Sequence, residues 1–467
     1  MSMLEEGEAL LFRELRSISV DAAGAMMART RAAREKLLRT LVERLQKERI
    51  ALGRSDRARL HGHAEGLAQW QHVLEAEAKS VAQQREAAGE IPMRYSAGAV
   101  LERGAAAFQG RDDLFRTLEG LLINQPSKIT PLLLGQPRTG KSSVLKQLPV
   151  RLGAQVLPVY LDMERRASAD TAASLLGDIV GVIQREAQSH PQPLSLPPLD
   201  KQGLAAEPYR VFENWIEEVE RALGEGRWLL LALDEFNRID EAVRAGRMDE
   251  RIFFLLRSLI QHHPQVALAL SGTFALDECD PRWYDTLKSV RNLPVTFLRP
   301  DEAERVFTKP APGFPDGVYS EVAIERALSL TGGQPFLIHL LGETLVNRYN
   351  YERTTVAPGT PPGLPLPVSA IDAALPEVLT GGETFFVSLW QWLLRISQDE
   401  PGMAALLSAL AKGQPLDNIG SSEEREELLG LFVERDLLAP DEAGGYTFRV
   451  PLIAEWIRQQ RRLPTLR

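Results

Sequence analysis

From Phe108 onward, short apolar runs alternate with segments of helical periodicity. The runs Ile129–Leu134, Gln155–Leu161, Trp228–Leu233, Val266–Ser271 and Pro294–Leu298 predict five strands. Amphipathic helices between them imply an α/β domain with a parallel sheet, placed at 105–300. Ser142 to Leu152 reads as a helix ending at Gly153, and the proline-dense stretch His190–Pro208 as a surface loop. Residues 1–100 are polar and nearly free of β-branched runs. Leu38, Leu41, Val42 and Leu45 fall on one helical face there, so long helices are expected, with a break near Gly53–Ser55 and a second helix over His63 to Ala88. Helical periodicity resumes from Glu302 to Tyr351, within a region set at 301–352. A Pro/Gly-rich linker, Ala357–Pro367, opens a connecting region at 353–400, and 401–467 reads as a small helical domain finishing in a hairpin. No internal repeat is apparent.

Composition adds bounds. A chain of 467 residues suggests two to four domains, and 44% hydrophobic with 25% charged residues is globular usage. The net charge of −9 gives no nucleic-acid signature for the whole chain. One segment departs from that balance: residues 29–59 hold eleven Lys or Arg against four acids. Such an arm suits nucleic acid, an acidic partner or a neighbouring subunit, or is the wet face of a helical hairpin. The single cysteine, Cys279, excludes an internal disulfide and reads as an inert thiol. No leader pattern and no membrane-length apolar stretch is seen, so a soluble, cytoplasmic protein without membrane contact is expected.

The chemistry is concentrated in residues 132–143, Leu-Leu-Leu-Gly-Gln-Pro-Arg-Thr-Gly-Lys-Ser-Ser. Gly135, Gly140, Lys141 and Ser142 meet the phosphate-loop pattern G-x-x-x-x-G-K-[ST], and Gln136, Pro137, Arg138, Thr139 and Ser143 complete the segment. The glycines let successive N–H groups turn toward phosphates, and the helix N-terminus adds positive charge. Lys141 would reach the β- and γ-phosphates, and the Ser142 hydroxyl would ligate Mg²⁺. About ninety residues later the run Trp228–Leu233 ends in Asp234 and Glu235. There Asp234 can hold the metal and Glu235 can serve as general base. The fourth run ends in Ser271-Gly272-Thr273, where Thr273 or Ser271 could sense the γ-phosphate or simply cap the strand. Arg282 and Arg291, between the fourth and fifth runs, are either finger residues for a neighbour's site or ordinary surface arginines. Lys141, Glu235, Thr273 and Arg291 thus form the expected catalytic set.

This order of motifs resembles the AAA+ and STAND branch of P-loop ATPases. Phe108-Gln109-Gly110-Arg111 is similar to the hydrophobic-x-Gly-Arg segment of that group, with Asp112 where glutamate is usual. The resemblance implies that Arg111 contacts the nucleotide or pins the segment leading to it. Thr331-Gly332-Gly333-Gln334-Pro335-Phe336 resembles the Gly-x-Pro segment, which implies that Pro335 packs near the adenine and ties a helical lid to the base. Residues 401–461 resemble a winged helix, with helices over Met403–Ala411 and Ser421–Glu434, a wing from Leu437–Ala439 and Tyr446–Val450, and a closing helix Pro451–Arg461. Glu423, Glu424, Glu426 and Glu427 on its third helix would repel a phosphate backbone, favouring a protein contact. The likeness covers Phe108 to Tyr351 well, the C-terminal part loosely, and the first hundred residues not at all. It implies an ATP- and Mg²⁺-binding, slowly hydrolysing switch that forms a nucleotide-dependent homo-oligomer. The N-terminal helices would recruit a protein effector in signalling or defence. The alternative it leaves is a DNA-binding ATPase of the initiator-loader or transposition-regulator type, gripping DNA through Arg29–Arg59. A nucleotide-binding scaffold without hydrolysis is a third.

Overall fold

Five short strands form one parallel sheet, and the chain crosses between them through helices. The structure is a computed structural model that describes residues 3–28, 30–53, 63–123, 129–164, 171–190, 192–273, 279–287, 290–355, 363–397, 399–442, 444–460 and 463–464. By internal packing the chain divides into two units. One comprises Met1–Arg94, Gly313–Asp316 and Glu343–Leu364, and the other Tyr95–Pro312, Gly317–Gly342 and Pro365–Arg467.

In the first unit, α1 (Met3–Met26), α2 (Arg31–Gly53) and α3 (Ala64–Ala87) enclose a small core. Leu38, Leu41 and Leu45 are buried against Ile18, Leu67 and Val81, as their spacing predicts, and Val42 is half-buried. A charged cluster sits beside them. The buried Arg85 donates to Glu35 (2.5 Å), Glu90 (3.1 Å) and the Ile91 carbonyl (3.0 Å). Burial pushes the Glu35 carboxyl up, but hydrogen bonds from Arg85 and Arg39 outweigh it and hold the group below its ordinary range. Of the seven basic residues of the arm that are described, five are engaged within this unit. Arg31 pairs with Glu90, Arg39 with Glu35 and Arg44 with Glu14 and Asp21, while Arg34 bonds the Met26 carbonyl and Arg49 bonds Gln71. Arg29, Arg54, Arg57 and Arg59 of that arm, and Ser55 of the expected break, lie outside the described residues.

In the second unit, α4 (Asp112–Leu122) precedes β1 (Thr130–Leu134), and α5 (Lys141–Leu152) leads to β2 (Val156–Asp162). Helices α6 (Ala172–Ser189), α7 (Lys201–Ala206) and α8 (Pro208–Leu223) precede β3 (Trp228–Asp234). Then come α9 (Asn237–Arg244), α10 (Arg251–His262), β4 (Val266–Gly272), α11 (Arg282–Thr286) and β5 (Val290–Pro294). The strand order is β2-β3-β4-β1-β5, with every pairing parallel. Alternation at period two sends Leu132, Leu229, Leu231 and Leu233 to one face and Leu133, Leu230, Ala232 and Ala269 to the other. Phe212, Trp215 and Leu255 cover the first face; Phe115, Leu118, Val144 and Leu148 cover the second. Burial on both sides explains why these strands read as unbroken apolar runs.

Two expectations are corrected. The fifth strand is Val290–Pro294, not Pro294–Leu298, and Arg291 therefore lies on the strand rather than before it. After Pro294 the chain makes one more sheet bond, Val295 N–H to the Leu134 carbonyl, then turns away so that Leu298 N–H meets the Gly333 carbonyl. Val295, Phe297 and Leu298 are apolar because they are buried, not because they extend the ladder. His190–Pro208 is also more than a surface loop. Asp200 caps α7 through the Gly203 N–H, and Leu194, Leu196 and Leu199 pack on the core.

After the sheet come α12 (Pro300–Thr308), α13 (Glu321–Thr331), α14 (Pro335–Thr355), α15 (Val368–Gly381) and α16 (Glu383–Ser397). Residues 357–362 of the expected linker lie outside the described residues, and Leu366 bridges to Tyr319. The C-terminal elements are α17 (Glu400–Lys412), α18 (Ser422–Glu434), the antiparallel hairpin β6 (Leu438–Pro440) and β7 (Tyr446–Phe448), and α19 (Pro451–Gln459). Arg461 lies outside the described residues. Phe386 of α16 stacks on Trp456 of α19, whose indole N–H bonds Glu383 (2.8 Å), so α16 packs on the closing helix. Among the described residues no helix is long and apolar enough to cross a membrane.

Candidate functional site

The loop between β1 and α5 starts at the end of a buried strand, where chain direction and helix dipole both point at one spot. Gly135 has no room for a side chain: a Cβ there would lie 2.3 Å from the Val295 carbonyl oxygen. Gly140 faces open space but has φ 99°, which L side chains rarely adopt. Thr139 is buried, its hydroxyl on the Gln136 carbonyl (3.0 Å), and Ser143 Oγ accepts the Leu101 N–H (3.1 Å). The Lys141 ammonium folds onto the carbonyls of Gly135 and Gln136, 2.9 Å from each. Burial pushes its pKa down, opposed by Glu235, Asp234 and Glu164.

Both acids emerge at the carboxyl end of β3. Asp234 is 2% exposed and accepts hydrogen bonds from Tyr160 Oη (2.6 Å) on one oxygen and from Ser271 Oγ on the other. Glu235 has φ 54°, a left-handed conformation that costs a non-glycine residue about 1–2 kcal/mol. Burial pushes its carboxyl up to about 7, with Lys141 pulling down and Asp234 pushing further up. A base near neutrality, aimed by a strained turn, suits proton abstraction from water.

These groups line a cavity of about 580 Å³. Its lining includes Pro137 to Val144, Asp162, Glu164, Asp234, Glu235, Arg238 and Thr273. The apolar residues Leu298, Val306, Pro335, Phe336 and Phe108 line it as well. A lining that mixes charged and apolar residues suits a nucleoside triphosphate, which presents both kinds of surface. Asp234 and Ser142, a carboxylate and a hydroxyl beside the phosphate loop, are oxygen donors that fit Mg²⁺, a hard cation that keeps several waters.

Arg111 lines the cavity and pins its surroundings. Its side chain donates to the carbonyls of Thr139 (2.9 Å) and Thr296 (2.7 Å), and its backbone N–H to Glu302 (2.7 Å). Burial lowers its pKa. Pro335 opens α14 and lines the cavity; next to it, buried Gln334 donates to the Arg138 carbonyl (3.2 Å), and the Arg138 guanidinium lies over the Phe336 ring. Gln136 reaches the other way, donating its amide to the Arg435 carbonyl at the end of α18 (2.7 Å).

The alternatives at the fourth strand separate. Ser271 is wholly buried on Asp234, whereas Thr273 reaches the cavity and its carbonyl accepts the Trp392 indole N–H (3.2 Å). Arg291 is exposed on the edge strand β5, outside the cavity lining. Arg282 pairs with Glu250 (2.5 Å) and Asp280 (3.7 Å). Sequence reasoning missed one wall altogether. Ser388, Gln391, Trp392 and Arg395, spaced i, i+3, i+4, i+7, bring one face of α16 to the cavity. It also missed His339, whose Nδ1 accepts the Ser96 N–H (3.3 Å) and whose pKa burial lowers to about 4. Arg395 closes a helix, where cations are common, and His339 sits in an apolar stretch, so neither carries a signature.

No family model matches the sequence, and no curated protein matches it. Among solved structures, the chain is similar to the Aeropyrum pernix ORC2 protein in its ADPNP–ADP complexes, at 11% identity and TM-score 0.48, over 78% of this chain and 98% of that one. It is similar to the Thermotoga maritima RuvB Holliday junction branch migration motor at 17% identity and TM-score 0.37, over 73% and 92%. For the FIGL-1 AAA domain the figures are 14%, 0.35, 62% and 91%. The fold rests on the chain's own sheet order and loop: an α/β core of the P-loop ATPase-like kind.

Proposed function

We propose that the chain binds ATP with Mg²⁺ in this cavity, hydrolyses it slowly, and works as a molecular switch of the STAND type within AAA+-like ATPases. The observation that carries the reading is the joining of one cavity to several elements. The phosphate loop is bonded to the α18 end through Gln136 and to the start of α14 through Gln334, while the tip of β4 is bonded to α16 through Trp392. A change at the phosphates would therefore be felt in the helices that follow the sheet.

In this reading Lys141 leaves the loop carbonyls for the β- and γ-phosphates, and Ser142 and Asp234 hold the cation, which supplies charge neutralisation when bound. Glu235 takes the proton of the attacking water. Thr273 and Arg395 face the γ-phosphate, and Pro335, Phe336 and Leu298 bracket the adenine. Arg291, exposed on the edge strand, is available to a neighbouring copy in a nucleotide-dependent homo-oligomer. The α17–α19 region serves as a winged-helix restraint, and the N-terminal helices recruit a protein effector in signalling or defence. The acidic start of α18 and the paired arginines of α2 support a protein output over a DNA one.

The test is the size of the purified protein with ADP, with a non-hydrolysable ATP analogue, and with the analogue plus DNA. A larger species with the analogue alone is expected. Growth only on adding DNA would replace the switch by an initiator-type ATPase. Assembly that survives Lys141→Ala with nucleotide binding abolished would sink the switch.

A further inference from the structure

His339 follows Pro335 by four residues and Phe336 by three, so it shares the face of α14 that brings those two to the cavity, and it lines the cavity with them. Of these three, only His339 carries a polar side chain. The residue is 7% exposed. Its Nδ1 accepts the Ser96 N–H at 3.3 Å, so in the neutral ring the proton sits on Nε2. Burial lowers the pKa to about 4, which keeps the ring neutral near pH 7. Among the described residues Nε2 has no hydrogen-bond partner, and it is not one of the side-chain atoms sealed inside the protein without one. A residue this buried meets free space where it lines the cavity, and its Nε2–H is the polar group left to face it. Resting on the ATP–Mg²⁺ reading, we propose that His339 is the residue that reads the base, its Nε2–H donating to a ring nitrogen of the purine.

The ring is held where such a contact needs it. Tyr95 meets it edge-on, with ring centroids 6.1 Å apart and planes at 75°. Tyr95 is fixed in turn: its hydroxyl donates to the Phe307 carbonyl and shares a hydrogen bond with Tyr319 Oη (2.8 Å). Gly342 leaves it no slack, since a Cβ there would lie 2.3 Å from the Tyr95 ring. A preorganised donor of this kind adds what an apolar bracket lacks. Leu298, Val306, Pro335 and Phe336 can sandwich any flat base, whereas a buried N–H left without an acceptor penalises the wrong one. Adenine offers the ring nitrogens N1, N3 and N7 as acceptors, and replacing one by C–H deletes that acceptor while keeping the shape of the base.

The experiment titrates ATP, 1-deaza-ATP, 3-deaza-ATP and 7-deaza-ATP, each with Mg²⁺, into the full-length protein in a calorimeter. In the wild type at least one analogue should bind about tenfold more weakly than ATP. Two variants then assign that penalty. His339→Asn keeps an acceptor near Nδ1 for the Ser96 N–H and deletes the donor at Nε2, whereas His339→Gln puts an amide N–H where Nε2 stood. The penalty should vanish in His339→Asn and return in His339→Gln. Three analogues that all match ATP in the wild type overturn base reading, a result that needs no variant to fold. A penalty that persists unchanged in His339→Asn also overturns it, and equal weakening of all four nucleotides there marks a structural role. Each of these leaves ATP binding by the wild type intact, whereas a wild type that binds none of the four overturns the ATP reading itself, and this inference with it.

Discussion

Gly135 and Gly140 stand at the two ends of one loop and are glycines for different reasons. At Gly135 a methyl group would have to push the Val295 backbone aside, whereas at Gly140 the space is open and the dihedral is the obstacle. Gly135→Ala should therefore cost about 3 kcal/mol, the upper end for overpacking, and Gly140→Ala about 1–2 kcal/mol. Chemical denaturation reads both, and the reverse order would show that the loop is packed differently. Glu235→Gln should leave ATP binding intact and slow phosphate release by about 10²–10³-fold, as expected for loss of a general base. His339 offers a test by pH. Its pKa is lowered by burial from 6.5 to about 4, so between those values the unfolded chain takes up a proton that the folded chain does not. Stability should hold above pH 6.5, fall as pH drops toward 4 by up to about 3 kcal/mol, and gain no further loss from this group below that. An NMR titration of the His339 ring with a midpoint near 6.5 would remove the effect. The loop and the two strand-end acids were legible because each is a contiguous pattern. Tyr160, His339 and Arg395 were not, since what makes them interesting is their meeting with residues far along the chain.

Helices and strands whose sides are both buried announced themselves as apolar runs, which is why four strands were placed within a residue or two. The edge strand β5 did not. It exposes Arg291 and Asn292, so its signal was weaker than that of the buried run just after it. Local capping chemistry was also under-read at α7, where Asp200 starts a helix inside a proline-dense stretch. In the first unit the basic segment left a nucleic-acid contact, an acidic partner, a neighbouring subunit and a wet helical face all open, because pairing partners on other helices cannot be seen in a linear charge count. Arg85 is the most exacting of these pairings. Arg85→Ala would leave the buried Glu35 and Glu90 with only the more exposed Arg39 and Arg31 as cations and should destabilise that unit by about 1.5–3 kcal/mol, read as a drop in the midpoint of helix loss on heating. A change below about 1 kcal/mol would mean that water satisfies those carboxylates.

For the molecule as a unit, function depends on whether one cavity serves a nucleotide and whether its occupancy is communicated. In the proposed site the phosphate loop supplies the anion seat, β3 the acids, the first turns of α14 apolar lining and α16 an arginine-bearing wall, and these lining residues belong to one of the two packed units. Arg395→Ala should spare ADP affinity and weaken binding of the ATP analogue by about tenfold, since a charge facing the γ-phosphate matters only when that phosphate is there. Equal effects on both nucleotides would place the residue elsewhere. The most direct measurement is calorimetric titration of ATP with Mg²⁺ into the full-length protein and into Lys141→Ala. One ATP should bind per chain in the wild type, and Lys141→Ala should show no measurable heat of binding. Wild-type protein that takes up no ATP, or a Lys141→Ala variant that binds it equally well, would mean that the loop at Gly135–Ser142 is not a nucleotide site.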